Sequence, residues 1–207
     1  MGVISGRHLL RMLRLGKIRG DMPEIIFPHI ATIYDTPPHV GGAQAEHLPN
    51  GLYVERKGGW TVRLASRCVV ANGSRIALQR LDTEGVIKVP GGGFHHGEDA
   101  KLAVGRELEE EVGLAVSALR PLKPLGVVVE FRKEWELVML SYCYQAEMKD
   151  GAKASKPTEA GSHLVWADSP NAALAMMQTD NPDTYDARFM QTRDTAVLEF
   201  YRDNVII

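Results

Sequence analysis

At 207 residues, 44% hydrophobic and 24% charged with a formal net charge of −2, the chain has the composition of a globular protein. No apolar run nears the roughly 20 residues that span a bilayer, and no basic excess calls for a nucleic acid polymer. A membrane and a nucleic acid polymer are therefore not expected as partners.

The first 20 residues hold Arg7, Arg11, Arg14, Lys17 and Arg19 and no acid. On a helical wheel Arg7, Arg11 and Arg14 share a face, opposite Leu9, Met12 and Leu13. The segment lacks the serines of a transit peptide and is short for a membrane-surface helix. A helix docking on its own protein or on a dimer mate is expected, so a homodimer built through this extension is one expected assembly. Residues 20–60 are rich in glycine and proline and predict an irregular arm, with short strands around Ile30–Tyr34 and Leu52–Arg56. The expected division is an N-terminal extension over 1–59 and a folded domain over 60–207.

From Trp60 the pattern changes. TVRLASRCVVA and RIALQRL read as two strands joined by the turn Asn72-Gly73-Ser74. VIKVP leads into a glycine run, and residues 99–112 read as a helix stopped at Gly113. LGVVVEF, ELVMLSYCYQAEM and HLVWAD are further strands. SPNAALAMMQ is a helix with a serine cap, and DARFMQTRDTAVLEFYRD a C-terminal helix. Interleaved strands, hairpins and helices predict an α/β fold, a mixed sheet covered by helices on both faces. Cys68 and Cys143 lie in apolar strands without metal-type spacing, as reduced core residues of a cytoplasmic protein do.

The stretch RELEEEVGL concentrates charge: Glu107, Glu110 and Glu111 fall at i, i+3 and i+4 of the helix and share one face. Val104, Leu108 and Val112 form a separate apolar stripe for docking, and Glu109 points to solvent. Carboxylates in the last turns oppose the helix dipole at about 0.3–1 kcal/mol each. A solvated face would more naturally carry Lys or Arg there. A divalent cation removes the conflict, because Mg²⁺ takes oxygen ligands.

The segment PGGGFHHGED precedes this helix. Its glycines permit positive φ and close approach of the backbone to a ligand, although a tight turn alone would also use them. Gly92, Glu98, Arg106, Glu107, Leu108, Glu110, Glu111, Gly113 and Leu114 together satisfy G-x5-E-x7-R-E-U-x-E-E-x-G-U, with U aliphatic. The segment resembles the Nudix box, complete over residues 92–114.

The resemblance implies an α/β/α sandwich with a mixed β-sheet, plus the irregular N-terminal extension. It implies hydrolysis of a nucleoside diphosphate linked to another group, with Mg²⁺ or Mn²⁺ as cofactor and a small nucleotide as partner. By position, Glu107, Glu110 and Glu111 are the implied metal ligands, aided by the Gly91 and Gly92 carbonyls. Arg106 is implied to orient the glutamates, and Glu98 to brace the loop or ligate through water. Gly91, Gly92 and Gly93 form the substrate-binding loop. The general base lies in the box in some relatives and on a later loop in others, so Glu107 and Glu159 are the two candidates.

Other residues carry weaker signals. His95 and His96 read as exposed loop histidines. Glu130, Glu134 and Glu136 read as solvated acids at a strand turn. Trp135, Tyr142 and Tyr144 read as core or sheet surface rather than base-stacking groups. The tail resembles the C-terminal segment of bacterial Nudix hydrolases, where Phe189 and Arg193 would border the nucleotide, although an amphipathic packing helix also explains the pattern. Substrate choice lies outside the box. Some ADP-ribose hydrolases carry a proline where Glu130 stands, and the runs that mark NADH and coenzyme A hydrolases are absent. A nucleoside triphosphate, ordinary or oxidised, is the expected substrate. ADP-ribose, a nucleotide sugar and a non-catalytic sensing role are the alternatives.

Overall fold

The computed structural model of the chain describes residues 27–34, 43–47, 53–57, 60–83 and 85–205. The basic helix expected around Arg7–Arg14 lies outside the described residues. Nine strands form one mixed sheet among them: β1 (His29–Tyr34), β2 (Ala43–His47), β3 (Tyr53–Lys57), β4 (Trp60–Asn72), β5 (Arg75–Leu81), β6 (Val86–Lys88), β7 (Lys123–Arg132), β8 (Leu137–Glu147) and β9 (Ser162–Ala167). The described helices of three turns or so and longer are α1 (Ala100–Val112), α2 (Pro170–Thr179) and α3 (Tyr185–Asn204).

Strand β4 is the spine. One edge runs parallel to β8 from Thr61↔Leu137 to Ala71↔Glu147. The other edge is shared: β3 pairs with its first residues and β5 with its last, through the hairpin that turns at Gly73-Ser74. The gap between those partners is filled by the glycine run. Ser66 N–H donates to Gly92 O at 2.9 Å, Cys68 N–H to Pro90 O at 3.0 Å, and Phe94 N–H to Leu64 O at 3.1 Å. A loop that would otherwise be free is thereby held as a short extra strand against β4.

Residues 29–34, 43–47 and 53–57 are strands of the sheet. β1 adds to the sheet parallel to β7, and β2 and β3 form an antiparallel pair beyond β4. Alternation sets the two cores. Cys68, Val70 and Ala77 face α1, where Val104, Leu108 and Val112 are all 0% exposed. Val69, Ala71, Ile76 and Leu78 face α2 and α3, meeting Leu174, Met177, Val197 and Leu198. Helices thus cover both faces, and the fold is an α/β/α sandwich. Each buried Val or Leu contributes on the order of 1.5–3 kcal/mol, so the α1 stripe alone fixes that helix on the sheet. Cys68 and Cys143 are buried and free, as the sequence suggests.

The main departures concern charge. Glu130, expected at a solvated turn, lies inside β7 with 0% exposure and accepts from Arg132 Nη2 at 2.7 Å. Strand β7 runs one residue past Phe131 to Arg132, and Glu130 and Arg132 neutralise one another on the covered face. Glu134 and Glu136 are exposed. Trp135 is exposed on the turn rather than core, while Tyr144 is buried.

Candidate active site

Helix α1 begins at Asp99, whose carboxylate accepts from the N–H groups of Lys101 and Leu102, and ends at Gly113 in the left-handed conformation. These caps set the rotation that turns Glu107, Glu110 and Glu111 toward the glycine run. Two glycines make the approach possible. At Gly91, φ is +136°, and a Cβ would overlap the Ser66 carbonyl oxygen and come within 2.8 Å of Arg67 Cα. At Gly92 a Cβ would stand 2.7 Å from Glu107 Oε2. The Glu107 carboxylate therefore rests directly on the Gly92 backbone, in a cradle that any side chain would fill.

Arg106 organises the cluster. Its Nε donates to Glu98 Oε1 at 2.8 Å, and its Nη1 to Glu107 Oε1 at 2.8 Å and Glu110 Oε2 at 3.1 Å. Its Nη2 donates to the Gly93 carbonyl at 3.0 Å and to Glu98 Oε2 at 3.1 Å. One guanidinium thus ties three box acids and the loop together. Burial disfavours its charge, but Glu98 and Glu107 outweigh that and hold its pKa above the ordinary arginine value. Glu98 also accepts from the His95 N–H at 2.7 Å. Burial pushes Glu98 up, yet the Arg106 and His95 hydrogen bonds prevail and its pKa is lowered. His95 and His96 are exposed.

Glu111 is 4% exposed and held on both oxygens. Oε1 accepts from Lys88 Nζ at 2.8 Å and Oε2 from the Gly91 N–H at 2.6 Å. Lys88 also donates to Gly91 O at 3.3 Å. Lys88 went unnoticed in the sequence. Its signal is a lysine inside the buried strand VIK, where a charge needs a partner.

Glu159 comes to the same helix end from the far loop. Its N–H and that of Thr158 both donate to Glu110 O at 2.9 Å, and its Oε2 accepts from Gln79 Nε2 at 3.2 Å. Burial, then the nearby charge of Glu111, raise its pKa. The same two causes raise Glu107. Arg193 lies on α3 next to Asp194, which accepts from the Val89 N–H at 3.0 Å just before the glycine run. It is 1% exposed, with Nε 2.6 Å from Asp194 Oδ1 and Nη1 3.8 Å from Glu130 Oε2, a buried ion-pair member under α3. Phe189 is buried beside Tyr185, at a ring separation of 5.1 Å.

The donor set fits a hard divalent cation. Three carboxylates share one face, Glu107 is lodged against the glycine backbone, and burial and then the charge of Glu111 raise its pKa, a conflict that a cation would relieve. As oriented, no three His, Cys, Asp or Glu side chains among the described residues are grouped to hold a metal. Lys88 and the Gly91 N–H occupy Glu111 instead.

A NUDIX domain family model matches residues 61–187. The chain belongs to the Nudix family, whose hydrolases use divalent metal ions and act on small nucleotides. Solved structures with a similar fold include a MutT Nudix hydrolase from Burkholderia pseudomallei, 25% identical, covering 63% of this chain and 96% of that one with a TM-score of 0.47. A Nudix hydrolase from Nitrosomonas europaea is 16% identical over 68% of this chain and 88% of its own, with a TM-score of 0.48. An ADP-ribose pyrophosphatase from Streptococcus suis is 17% identical over 70% and 96%, with a TM-score of 0.44. No curated protein matches the chain. No helix among the described residues is long and apolar enough to cross a membrane.

Proposed function

We propose that the chain hydrolyses the pyrophosphate link of a nucleoside diphosphate joined to another group, using Mg²⁺ or Mn²⁺, in the cytoplasm. The observation that carries this reading is the sharing of one helix face by Glu107, Glu110 and Glu111, with Glu107 against Gly92, Glu111 bound to the Gly91 N–H, and Glu107 and Glu110 tied by Arg106. Residues 60–207 are the proposed catalytic domain and 1–59 its extension, with a homodimer through that extension as the proposed assembly. A nucleoside triphosphate, ordinary or oxidised, is the proposed substrate.

Glu107, Glu110 and Glu111 would hold the ion, Glu111 being released from Lys88, with Glu98 and the Gly91 and Gly92 carbonyls in support. When bound, the ion supplies charge neutralisation at the phosphate oxygens and acidifies a water ligand. The remaining work falls to the chain. Arg106 fixes the carboxylates, so their repulsion is met before the substrate arrives. Once freed, Lys88 presents a cation beside Gly91, where a phosphate oxygen would need one. Glu159 is the proposed general base: no arginine among the described residues binds it, and its raised pKa moves it toward the range in which a base works best. Glu107 is the in-box alternative for that role.

The test is phosphate-product analysis with Mg²⁺ over ordinary and oxidised nucleoside triphosphates, ADP-ribose, nucleotide sugars and dinucleoside polyphosphates, with Glu107→Gln as the blank. Turnover of one class that the variant lacks is expected. Binding of nucleotide without turnover of any member would move the assignment to a sensing role.

A further inference from the structure

Strand β5 buries Ile76, Ala77, Leu78 and Gln79 in succession, and Gln79, at 0% exposure, is the polar one of the four. By alternation it shares a face with Ala77, the face on which α1 packs. Its partners in register are Lys88 on β6 and Leu164 on β9. A buried amide is costly unless it is hydrogen-bonded, so its partners explain its place.

Gln79 Nε2 donates to Ser162 Oγ at 2.7 Å and to Glu159 Oε2 at 3.2 Å. The Ser162 hydroxyl spends its own proton on Glu111 O at 2.7 Å, so it accepts from Gln79. An ionised Glu159 can only accept as well. Both neighbours therefore require the NH2 end of the amide. Its other end, Oε1, is buried without a hydrogen-bond partner among the described residues, and turning the amide over would set that oxygen against two acceptors. The orientation of the amide is thus fixed by Glu159 and Ser162.

The loop that carries Glu159 also caps α1. The last carbonyls of an α-helix have no partner inside it. Here Glu110 O accepts from the N–H groups of Thr158 and Glu159, both at 2.9 Å, and Glu111 O from Ser162 Oγ. Gly113 O, just past the helix, accepts from the Ser155 N–H at 2.8 Å. The helix of Glu107, Glu110 and Glu111 is therefore joined to the loop of Glu159 through the main chain. These bonds set the backbone of Glu159 but not the rotamer of its exposed side chain. The Gln79 amide meets that carboxylate from the sheet.

We propose that Gln79 is a positioning residue that holds the Glu159 carboxylate in place against the sheet, with Ser162 locking the same amide to the end of α1. The placement is a property of the fold, whereas its effect on rate rests on the reading of Glu159 as general base. A base that swings away from its water loses its advantage, since a misplacement of about 1 Å can cost about 10²-fold.

Amide hydrogen exchange followed by NMR in EDTA tests the placement on the full chain, without turnover. Gln79→Leu and Ser162→Ala are each expected to speed exchange at Thr158 and Glu159 by about tenfold or more. The Leu114 N–H, which bonds to Leu108 O, should keep its wild-type rate. Ser162→Ala is the smaller change and guards against loss of fold at Gln79, and Ser162→Thr keeps the hydroxyl and should restore wild-type exchange. Wild-type exchange at Thr158 and Glu159 in both variants overturns the placement, and so does a loosening that extends equally to Leu114. A kinetic arm in saturating Mg²⁺, with a nucleoside triphosphate as substrate, reads the consequence. Gln79→Leu is expected to lower kcat by about 10–100-fold with KM within about twofold. In a Glu159→Gln background it should add little further loss, because the two residues act together. Equal losses in both backgrounds would show Gln79 acting elsewhere and overturn its positioning role. A Glu159→Gln enzyme as fast as wild type would overturn the base reading, and the exchange rates would still decide the placement.

Discussion

Lys88 Nζ lies 2.8 Å from Glu111 Oε1, with the two side chains 10% and 5% exposed, so the last box glutamate is neutralised by a lysine from the strand before the loop. In the metal-free protein that ammonium supplies positive charge which a cation would otherwise bring. Removing it leaves a buried carboxylate facing Glu107 with only the Gly91 N–H to bind.

Lys88→Met is therefore expected to destabilise the metal-free protein by about 3–5 kcal/mol, the usual cost of breaking a buried pair from one side. Added Mg²⁺ should restore part of this, so the Tm gain on moving from EDTA to Mg²⁺ should be larger in the variant. Urea and thermal melts in both buffers check it. Equal EDTA melts for variant and wild type would remove Lys88 from this role.

The reach of sequence reading follows from these same residues. Asp99, the Val104–Leu108–Val112 stripe and Gly113 are set within one helix, so its ends and docking face could be read locally. Glu107, Glu110 and Glu111 share that helix as well. Partnerships across the sheet were a different matter. Lys88 with Glu111 and Arg132 with Asp186 join different elements, whose relative placement no single segment fixes. A trace was there: charges at one parity inside apolar strands, Arg63 and Arg67 in TVRLASRCVV and Glu130 and Arg132 in VVVEFR. Strand β2 was missed because AQAEH has weak strand composition and gains its place by pairing with β3.

Glu111→Gln is expected to lower kcat by about 10²-fold or more, the size typical of removing a key electrostatic group. Its native spectrum should survive, because the side-chain volume is kept. Steady-state kinetics in saturating Mg²⁺ measure this, and unchanged turnover would take Glu111 out of the site.

The raised pKa of Glu107 carries a sign that can be checked. Its folded value lies above its unfolded value, so between the two the native state holds more protons. Stability of the metal-free protein thus falls as pH rises through the window from the ordinary carboxylate value to the raised one. Glu107→Gln removes that slope. In EDTA the variant should match or exceed wild type at neutral pH, its advantage shrinking as pH drops through the window, while its activity is lost. Urea melts from acid to neutral pH test this, and an advantage that grows toward acid would reverse the sign.

Cys68 and Cys143 are each 0% exposed, and burial pushes the Cys143 thiol up to about 12 and Cys68 higher still. Thiolate is the reactive form, so labelling of the native protein at pH 8 should be slower than that of free cysteine by about 100-fold or more. Both thiols should react at once in denaturant. Mass spectrometry after a timed alkylation pulse reads the result, and rapid native labelling of either would contradict its burial.

Glu159 reaches the helix end through its own N–H and that of Thr158, both donating to Glu110 O at 2.9 Å, while its carboxylate meets Gln79 rather than an arginine. Glu107, by contrast, has Arg106 Nη1 at 2.8 Å on one oxygen, which weakens it as a base. A carboxylate that must accept a proton works best when no cation is bound to it and its pKa is already raised. Glu159→Gln is therefore expected to lower kcat by about 10²–10⁴-fold with KM little changed, and to erase the acidic limb of the kcat profile. Glu159→Asp should recover part of the rate, because the base is kept and only its reach is shortened. A Glu159→Gln enzyme within twofold of wild type would hand the proton to Glu107, and the acidic limb would then persist in that variant.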